Sequence, residues 1–250
     1  MPTLIVTLPT SLPSAAVACA GVWTDGANVL RHTEAPLAQL ATPDGSDTVV
    51  LVPCTQLSWH QLQLPRGTLS RRGDSTRLRA VLQGLLEERL LDEVDQLHLA
   101  LQPQATDDAP VWVAACTRGW LKAWLDALEQ AGHRVSRIVP EYHPLPSDEP
   151  SRLVVQGQAD APVLVTCSAQ GVTVLPLAAH TLDWLDAQTR TQAPVQAEPA
   201  TADAAERAFA GRTQLQTRAA SALQAAQGSW DLAQLDLVRN RSTRLRKQWG

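Results

Sequence analysis

The apolar positions of this chain change period several times, and each change marks an element. Residues 3–8 and 48–52 are short, nearly unbroken apolar runs, the pattern of strands covered on both faces. Residues 17–23 and 27–31 predict a hairpin that turns at Asp25-Gly26. Residues 57–64 alternate and stop at Pro65. Residues 74–101 organise this half. There Leu78, Val81, Leu82, Leu85, Leu86 and Leu90 recur at three- and four-residue spacing, the stripe of a helix that Asp74 or Ser75 can cap. The period then drops to two: Leu97, Leu99 and Leu101 alternate with Gln96, His98 and Ala100, a strand with one buried face. This places His98 toward solvent, and His60 likewise in its own alternating run.

A strand, helix, strand pattern follows. Residues 111–116 are a strand. Thr117 is expected to cap a helix that carries Leu121, Trp124, Leu125 and Leu128 on one stripe and stops at Gly132. Residues 135–139 return, and a right-handed crossover would make the two strands parallel neighbours. The prolines of residues 140–150 predict an exposed linker, which includes Glu141-Tyr142-His143. Beyond it, residues 152–155, 162–167 and 171–175 read as strands, with 178–187 and 201–226 helical and 230–238 a last strand. Residues 189–200 are poor in apolar side chains and predict a mobile loop. The organisation is α/β in two related halves: a first lobe over 1–145 with an inserted helix–strand subdomain at 57–101, a second lobe over 146–238, and a basic tail over 239–250.

Charge narrows the function. The formal net charge is -4, which argues against nucleic acid as a partner of the chain as a whole. Cys19, Cys54, Cys116 and Cys167 are far apart in sequence and predict buried, reduced thiols rather than disulfides or a metal site. Residues 4–8 lack the basic flank and the length of a signal peptide, and no run reaches transmembrane length.

Two charge clusters stand out. Glu87, Glu88, Asp92, Glu93 and Asp95 gather between the helix and the strand of residues 74–101, while Arg71, Arg72, Arg77 and Arg79 surround the helix start. Both placements oppose the helix dipole, so a partner could satisfy them. At the other end Arg239, Arg241, Arg244, Arg246 and Lys247 occur with no acid among them and with Trp249 nearby, which predicts a segment beside a membrane-spanning helix.

Catalytic patterns are missing. Neither G-x-x-x-x-G-K-[ST] nor G-x-G-x-x-G occurs, and no Ser-His-Asp ordering or glycine-flanked nucleophile is present. An acid followed by glycine after a lobe's first strand would be another phosphate cradle. The first strand instead runs into Leu8-Pro9-Thr10-Ser11. The second hairpin, taken as residues 166–171, has no acid either. These readings predict a chain with no catalytic, cofactor or metal residues.

At this point a family resemblance carries further. Val50-Leu51-Val52-Pro53 is followed by Leu57-Ser58-Trp59-His60-Gln61-Leu62-Gln63-Leu64-Pro65. The helix ends Leu86-Glu87-Glu88-Arg89-Leu90. Then come Glu93-Val94-Asp95-Gln96-Leu97-His98-Leu99-Ala100-Leu101, Trp120-Leu121-Lys122-Ala123-Trp124-Leu125-Asp126-Ala127-Leu128 and Val139-Pro140-Glu141. In order and spacing these resemble the cytoplasmic domain of the L component of the type II secretion system, an inner-membrane platform protein. The resemblance is best over residues 48–145.

It implies an actin-like fold of two ribonuclease-H-like lobes with mixed sheets, acting as a non-catalytic scaffold without a cofactor. It implies a place on the cytoplasmic face of the bacterial inner membrane, held by a following transmembrane helix. The implied partners are the N-terminal domain of the secretion ATPase (the E component), the M component and other platform proteins, with a homodimer as a further option. Glu87, Glu88, Asp92, Glu93, Asp95 and His98 are then the expected ATPase interface, and the basic tail the membrane-proximal end. The competing readings are an actin-like nucleotide-binding protein or a type IV pilus assembly protein of the same superfamily.

Overall fold

The computed structural model describes residues 2–41, 46–69, 75–90, 93–235 and 237. The chain divides into two compact units, one of residues 1–140 and 226–250, the other of residues 141–225.

In the first unit, β1 (Thr3–Thr7), β2 (Ala18–Thr24) and β3 (Val29–Pro36) form an antiparallel meander. The β2–β3 turn is held by Asp25, whose Oδ1 accepts from the amides of Ala27 and Asn28 at 2.9 and 2.7 Å; Gly26 supplies the positive φ of 99°. β4 (Asp47–Val52) lies parallel to β1, and β8 (Arg134–Pro140) parallel to β4, which completes the order β3-β2-β1-β4-β8. As its apolar run predicts, β4 is interior to the sheet.

Between β4 and β8 the chain builds a second, three-stranded sheet of β5 (Ser58–Leu62), β6 (Leu97–Leu101) and β7 (Val111–Thr117), in the order β5-β7-β6. α1 (Ser75–Leu86) covers one face of it. Leu82 and Leu86 pack there with Leu99, Leu101, Val111 and Val113. Full burial of such a leucine contributes about 1.5–3 kcal/mol. The other face joins the main core, where Ala100, Ala114 and Cys116 meet Leu4, Val6, Leu8 and α2 (Arg118–Gln130). α2 presents Trp120, Leu121, Trp124 and Leu128 to that core. It ends in a Schellman turn, with His133 N bonded to Leu128 O and Gly132 N to Glu129 O around Gly132 at φ 84°. Thr117 precedes α2 without a side-chain cap bond, contrary to expectation.

The strands either side of α2 are not neighbours. β7 pairs with β5 and β6, and β8 pairs with β4, so the crossover links two sheets rather than two strands of one. Periodicity specifies a strand's faces but not its partner.

Residues 226–235 return to the first unit and close two strand edges. Leu232 N donates to Ile138 O of β8 at 2.6 Å, and Ile138 N donates to Asp231 Oδ1 at 3.2 Å. On β6, the Gln234 amide imitates a strand: its Oε1 accepts from Leu101 N at 3.0 Å and its Nε2 donates to Leu101 O at 2.9 Å. Trp230 and Leu232 are buried in the main core and Leu235 in the α1 core. The last strand expected at 230–238 is absent among the described residues; side chains do its pairing.

In the second unit, β9 (Arg152–Gln158), β10 (Ala161–Ser168) and β11 (Gly171–Pro176) repeat the meander. β12 (Val195–Ala197) lies parallel to β9 and β13 (Thr213–Leu215) parallel to β12, in the order β11-β10-β9-β12-β13. Both units thus share one strand order, that of a ribonuclease-H-like fold, as expected of the two lobes. The first alone carries the three-stranded insertion.

Four expectations for this unit fail in whole or in part. Residues 189–200 supply the interior strand β12, whose Val195 and Ala197 are fully buried, in place of a loop. The helix expected at 178–187 is broken into α3 (Ala179–Leu182) and α4 (Ala187–Gln192). The one expected at 201–226 is α5 (Ala202–Phe209), β13 and α6 (Arg218–Gln227). The proline-rich linker is only partly exposed: Tyr142 and Leu145 are buried, and the Tyr142 hydroxyl donates to Gln156 Oε1 at 2.8 Å.

Candidate partner-docking surface

The acidic cluster lies where α1 gives way to β6. Glu87 and Glu88 sit in the turn that ends α1, and Glu93 and Asp95 flank a single 3-10 turn (Val94–Gln96) leading into β6. All four are exposed, while Val94 between them is buried and fixes the turn to the α1 core. Arg89 lies among them and donates to Gln61 O of β5 at 3.0 Å, which ties the cluster to the edge of the inserted sheet. Asp92 lies outside the described residues, as do Arg71, Arg72, Arg239, Arg241, Arg244, Arg246 and Lys247.

Basic groups prop this turn from behind. Arg79 of α1 and Arg118 of α2 both donate to Leu97 O, at 3.3 and 2.9 Å. An outside partner was one way to satisfy Arg79; within the chain it donates to the first carbonyl of β6. The exposed face that remains is a rim of carboxylates.

His98 does not belong to that rim. It is 2% exposed, and its Nε2 lies 2.7 Å from Leu232 O. The alternation of β6 placed it on a solvated face, but that face joins the main core, and the Leu232 carbonyl of the returning segment takes its ring nitrogen. His60 is half-buried beside Ser58 Oγ at 2.9 Å; burial first, then the Arg89 charge, lowers its pKa.

Other chemistry is weak. The four cysteines are buried thiols outside any disulfide, and burial pushes the thiols of Cys19 up to about 11 and of Cys116 and Cys167 to about 12, away from nucleophilic thiolate. No three His, Cys, Asp or Glu among the described residues gather as a metal site. No helix among them is long and apolar enough to cross a membrane.

The strand register moves one earlier assignment. The hairpin after the second unit's first strand is β9–β10, not residues 166–171, which join β10 to β11. It does contain an acid: Asp160 is exposed at its tip, after Gly157 at φ 102°. The order is glycine then acid, the reverse of the cradle sought. Nearby, Glu198 accepts a bidentate contact from Arg218 at 3.1 Å through both oxygens.

The family model of type II secretion system protein L matches residues 6–230. The chain belongs to the type II secretion system protein L family. Among its relatives is type II secretion system protein L of Dickeya chrysanthemi, 36% identical over 123 residues, which is 49% of this chain and 28% of that protein. The protein L of Klebsiella pneumoniae is 36% identical over 97 residues, 39% of this chain and 22% of its own length. Each match therefore spans less than a third of the relative. Among solved structures, the cytoplasmic domain of EpsL, an inner-membrane component of the type II secretion system of Vibrio cholerae, superposes with a TM-score of 0.65 at 19% identity, covering 94% of this chain and 98% of that one. A PilM–PilN type IV pilus biogenesis complex gives a TM-score of 0.51 at 13% identity over 86% of this chain and 88% of the other. These likenesses support the fold.

Proposed function

We propose that this chain is the cytoplasmic part of a non-catalytic inner-membrane platform component of type II secretion, and that it holds the N-terminal domain of the secretion ATPase at the membrane. The observation that carries the proposal is the insertion between β4 and β8. It is a small, separately cored subdomain present in only one of the two units, and it ends in an exposed carboxylate rim of Glu87, Glu88, Glu93 and Asp95. A rim of one sign steers a basic partner and sets its register more than it adds affinity. Asp92 continues the rim in sequence. His98 acts behind it by holding β6. The M component and other platform proteins are the further partners of this reading, and residues 239–250 are its membrane-proximal end, leading into a spanning helix.

Calorimetry between the chain and an ATPase N-terminal domain tests it. Glu93→Lys with Asp95→Lys should weaken binding at least tenfold and flatten its salt dependence. Unchanged affinity removes the rim from the interface. Reading the gene beyond Gly250 tests the membrane arm: a run of about twenty apolar residues is expected.

A nucleotide-binding reading is favoured by one observation, Asp160 in the β9–β10 hairpin. It predicts a rise in Tm of several degrees with millimolar ATP and magnesium, lost in Asp160→Ala. A flat response in the unchanged chain disposes of it.

A further inference from the structure

Among the described residues, Ser46 Oγ, Thr48 Oγ1 and His133 Nδ1 are buried with no hydrogen-bond partner in the chain. The three residues are 5%, 0% and 7% exposed, so bulk solvent does not serve them. Burying a polar atom without a partner is costly, and native interiors hold few of them. These three share one corner of the first unit. β4 and β8 run parallel, with Asp47 beside Arg134 and Thr48 beside Val135, so one step earlier Ser46 stands beside His133. Ser46 and Thr48 continue the face of β4 that sends Val50 and Val52 into the main core, and Val135 packs on that core as well. His133 lies two residues before Val135 and faces the same way. It is anchored where α2 ends, its N on Leu128 O and its Nε2 3.3 Å from Leu37 O.

The chemistry of the corner selects what fits it. Leu37 O can only accept, so the His133 proton sits on Nε2 and the lone pair of Nδ1 is an acceptor. Ser46 and Thr48 each bring a hydroxyl that can donate or accept. Formal charge stays outside: Asp47 and Arg134, one residue off on each strand, alternate to the exposed side and pair there at 3.8 Å. The ladder also slips between Thr48 and Val49, where Ser136 is the extra residue of β8 and donates its hydroxyl to Thr48 O at 3.3 Å. Such slips recur where regular pairing gives way to a site. The group that suits this corner is small, neutral and able both to donate and to accept.

We propose that Ser46, Thr48 and His133 form a built-in site for one water molecule, which ties the entry of β4 to the turn after α2. The water donates one hydrogen to His133 Nδ1 and the other to one hydroxyl, and it accepts from the second hydroxyl. Three bonds are the usual complement of a buried water. Every polar atom of the corner is then paired. The site shares no residue with the carboxylate rim and does not depend on the ATPase reading.

Crystals of the 250-residue chain should show a single water-sized peak within about 3.2 Å of all three atoms. In solution, NMR should show a through-space contact between a long-lived water and the Thr48 methyl group. Thr48→Val keeps the shape of the side chain and gives opposite signs in the two cases. With the water present, the variant turns a methyl group toward it and removes one of its three bonds, so the urea midpoint should fall by a few tenths of a molar. In a dry corner the same change removes an unpaired hydroxyl, and the midpoint should rise. Ser46→Ala, Thr48→Val and His133→Leu together remove the whole site. That triple variant should regain most of what Thr48→Val loses, since Leu37 O keeps its bond from Leu40 N. A corner without the peak, a direct bond from either hydroxyl to Nδ1, a peak heavy enough to be an ion, or a midpoint that rises in Thr48→Val overturns the proposal. Should Thr48→Val fail to fold, the peak and the NMR contact in the unchanged chain decide it.

Discussion

Nε2 of His98 donates to the carbonyl of Leu232 across 134 residues of sequence, at 2.7 Å and out of contact with water. A carbonyl can only accept, so the imidazole is held with its proton on Nε2. His98→Ala removes one of that carbonyl's two donors, the other being Gln234 N at 2.8 Å, and opens a cavity, and should lower stability by about 2–3 kcal/mol in urea titration. Hydrogen exchange at Leu97–Leu101 should accelerate more than at β1.

Arg137 gathers the stretch just upstream. Its guanidinium donates to the carbonyls of Ala226, Gly228 and Trp230 at 2.8, 2.6 and 2.9 Å. Arg137→Met keeps the aliphatic stem and removes all three bonds. A loss of about 2–4 kcal/mol is expected, with faster exchange over residues 226–232. Arg137→Lys should recover only part of it, because one ammonium lacks the planar fork.

In the second unit, Glu198 is nearly buried, its side chain 11% exposed, and accepts two contacts from Arg218 at 3.1 Å and a longer one from Gly157 N at 3.4 Å. Removing the arginine leaves a nearly buried carboxylate with only the Gly157 amide as donor and no compensating charge, whereas neutralising both partners does not. Arg218→Ala should therefore destabilise more than the double variant Arg218→Ala, Glu198→Gln, a ranking that chemical denaturation can read.

His60 predicts a pH response. Its folded pKa lies below the unfolded value, so between the two the unfolded chain binds more protons and stability rises with pH. The penalty sets in as pH falls through the ordinary histidine range near 6.5 and is complete below the depressed folded value. His60→Gln should thus gain stability relative to the unchanged chain on going from pH 7 to pH 5, and match it more closely at pH 8.

The cysteines give a simple assay. With all four thiols buried, and three titrating at about 11 to 12, a thiol reagent at pH 8 should react with native protein far more slowly than with unfolded protein, where all four respond. Rapid stoichiometric labelling of the native chain would contradict this packing.

Local pattern revealed the meanders, β4, α1 and α2, because each element buries a face whose period shows within a dozen residues. β12 did not show, since Val195-Gln196-Ala197 is three residues set among polar ones and is a strand only by virtue of β9 and β13 on either side. The acidic rim was legible as composition. The burial of His98 was not, because its face packs on β1, α2 and the returning Leu232, all outside any periodic window around β6. The same distance hid the true neighbours of β7 and β8.

The return of residues 226–235 also sets an order of manufacture. A ribosome releases β6 and β8 long before it releases their covers, and the second unit, contiguous from residue 141 to 225, is complete first. Until Gln234 emerges, the earlier-made unit carries two open edges, the condition in which nascent chains associate wrongly. Truncation just before Trp230 should therefore yield an aggregating product even though every strand has been translated, while a chain ending after residue 237 should stay dispersed.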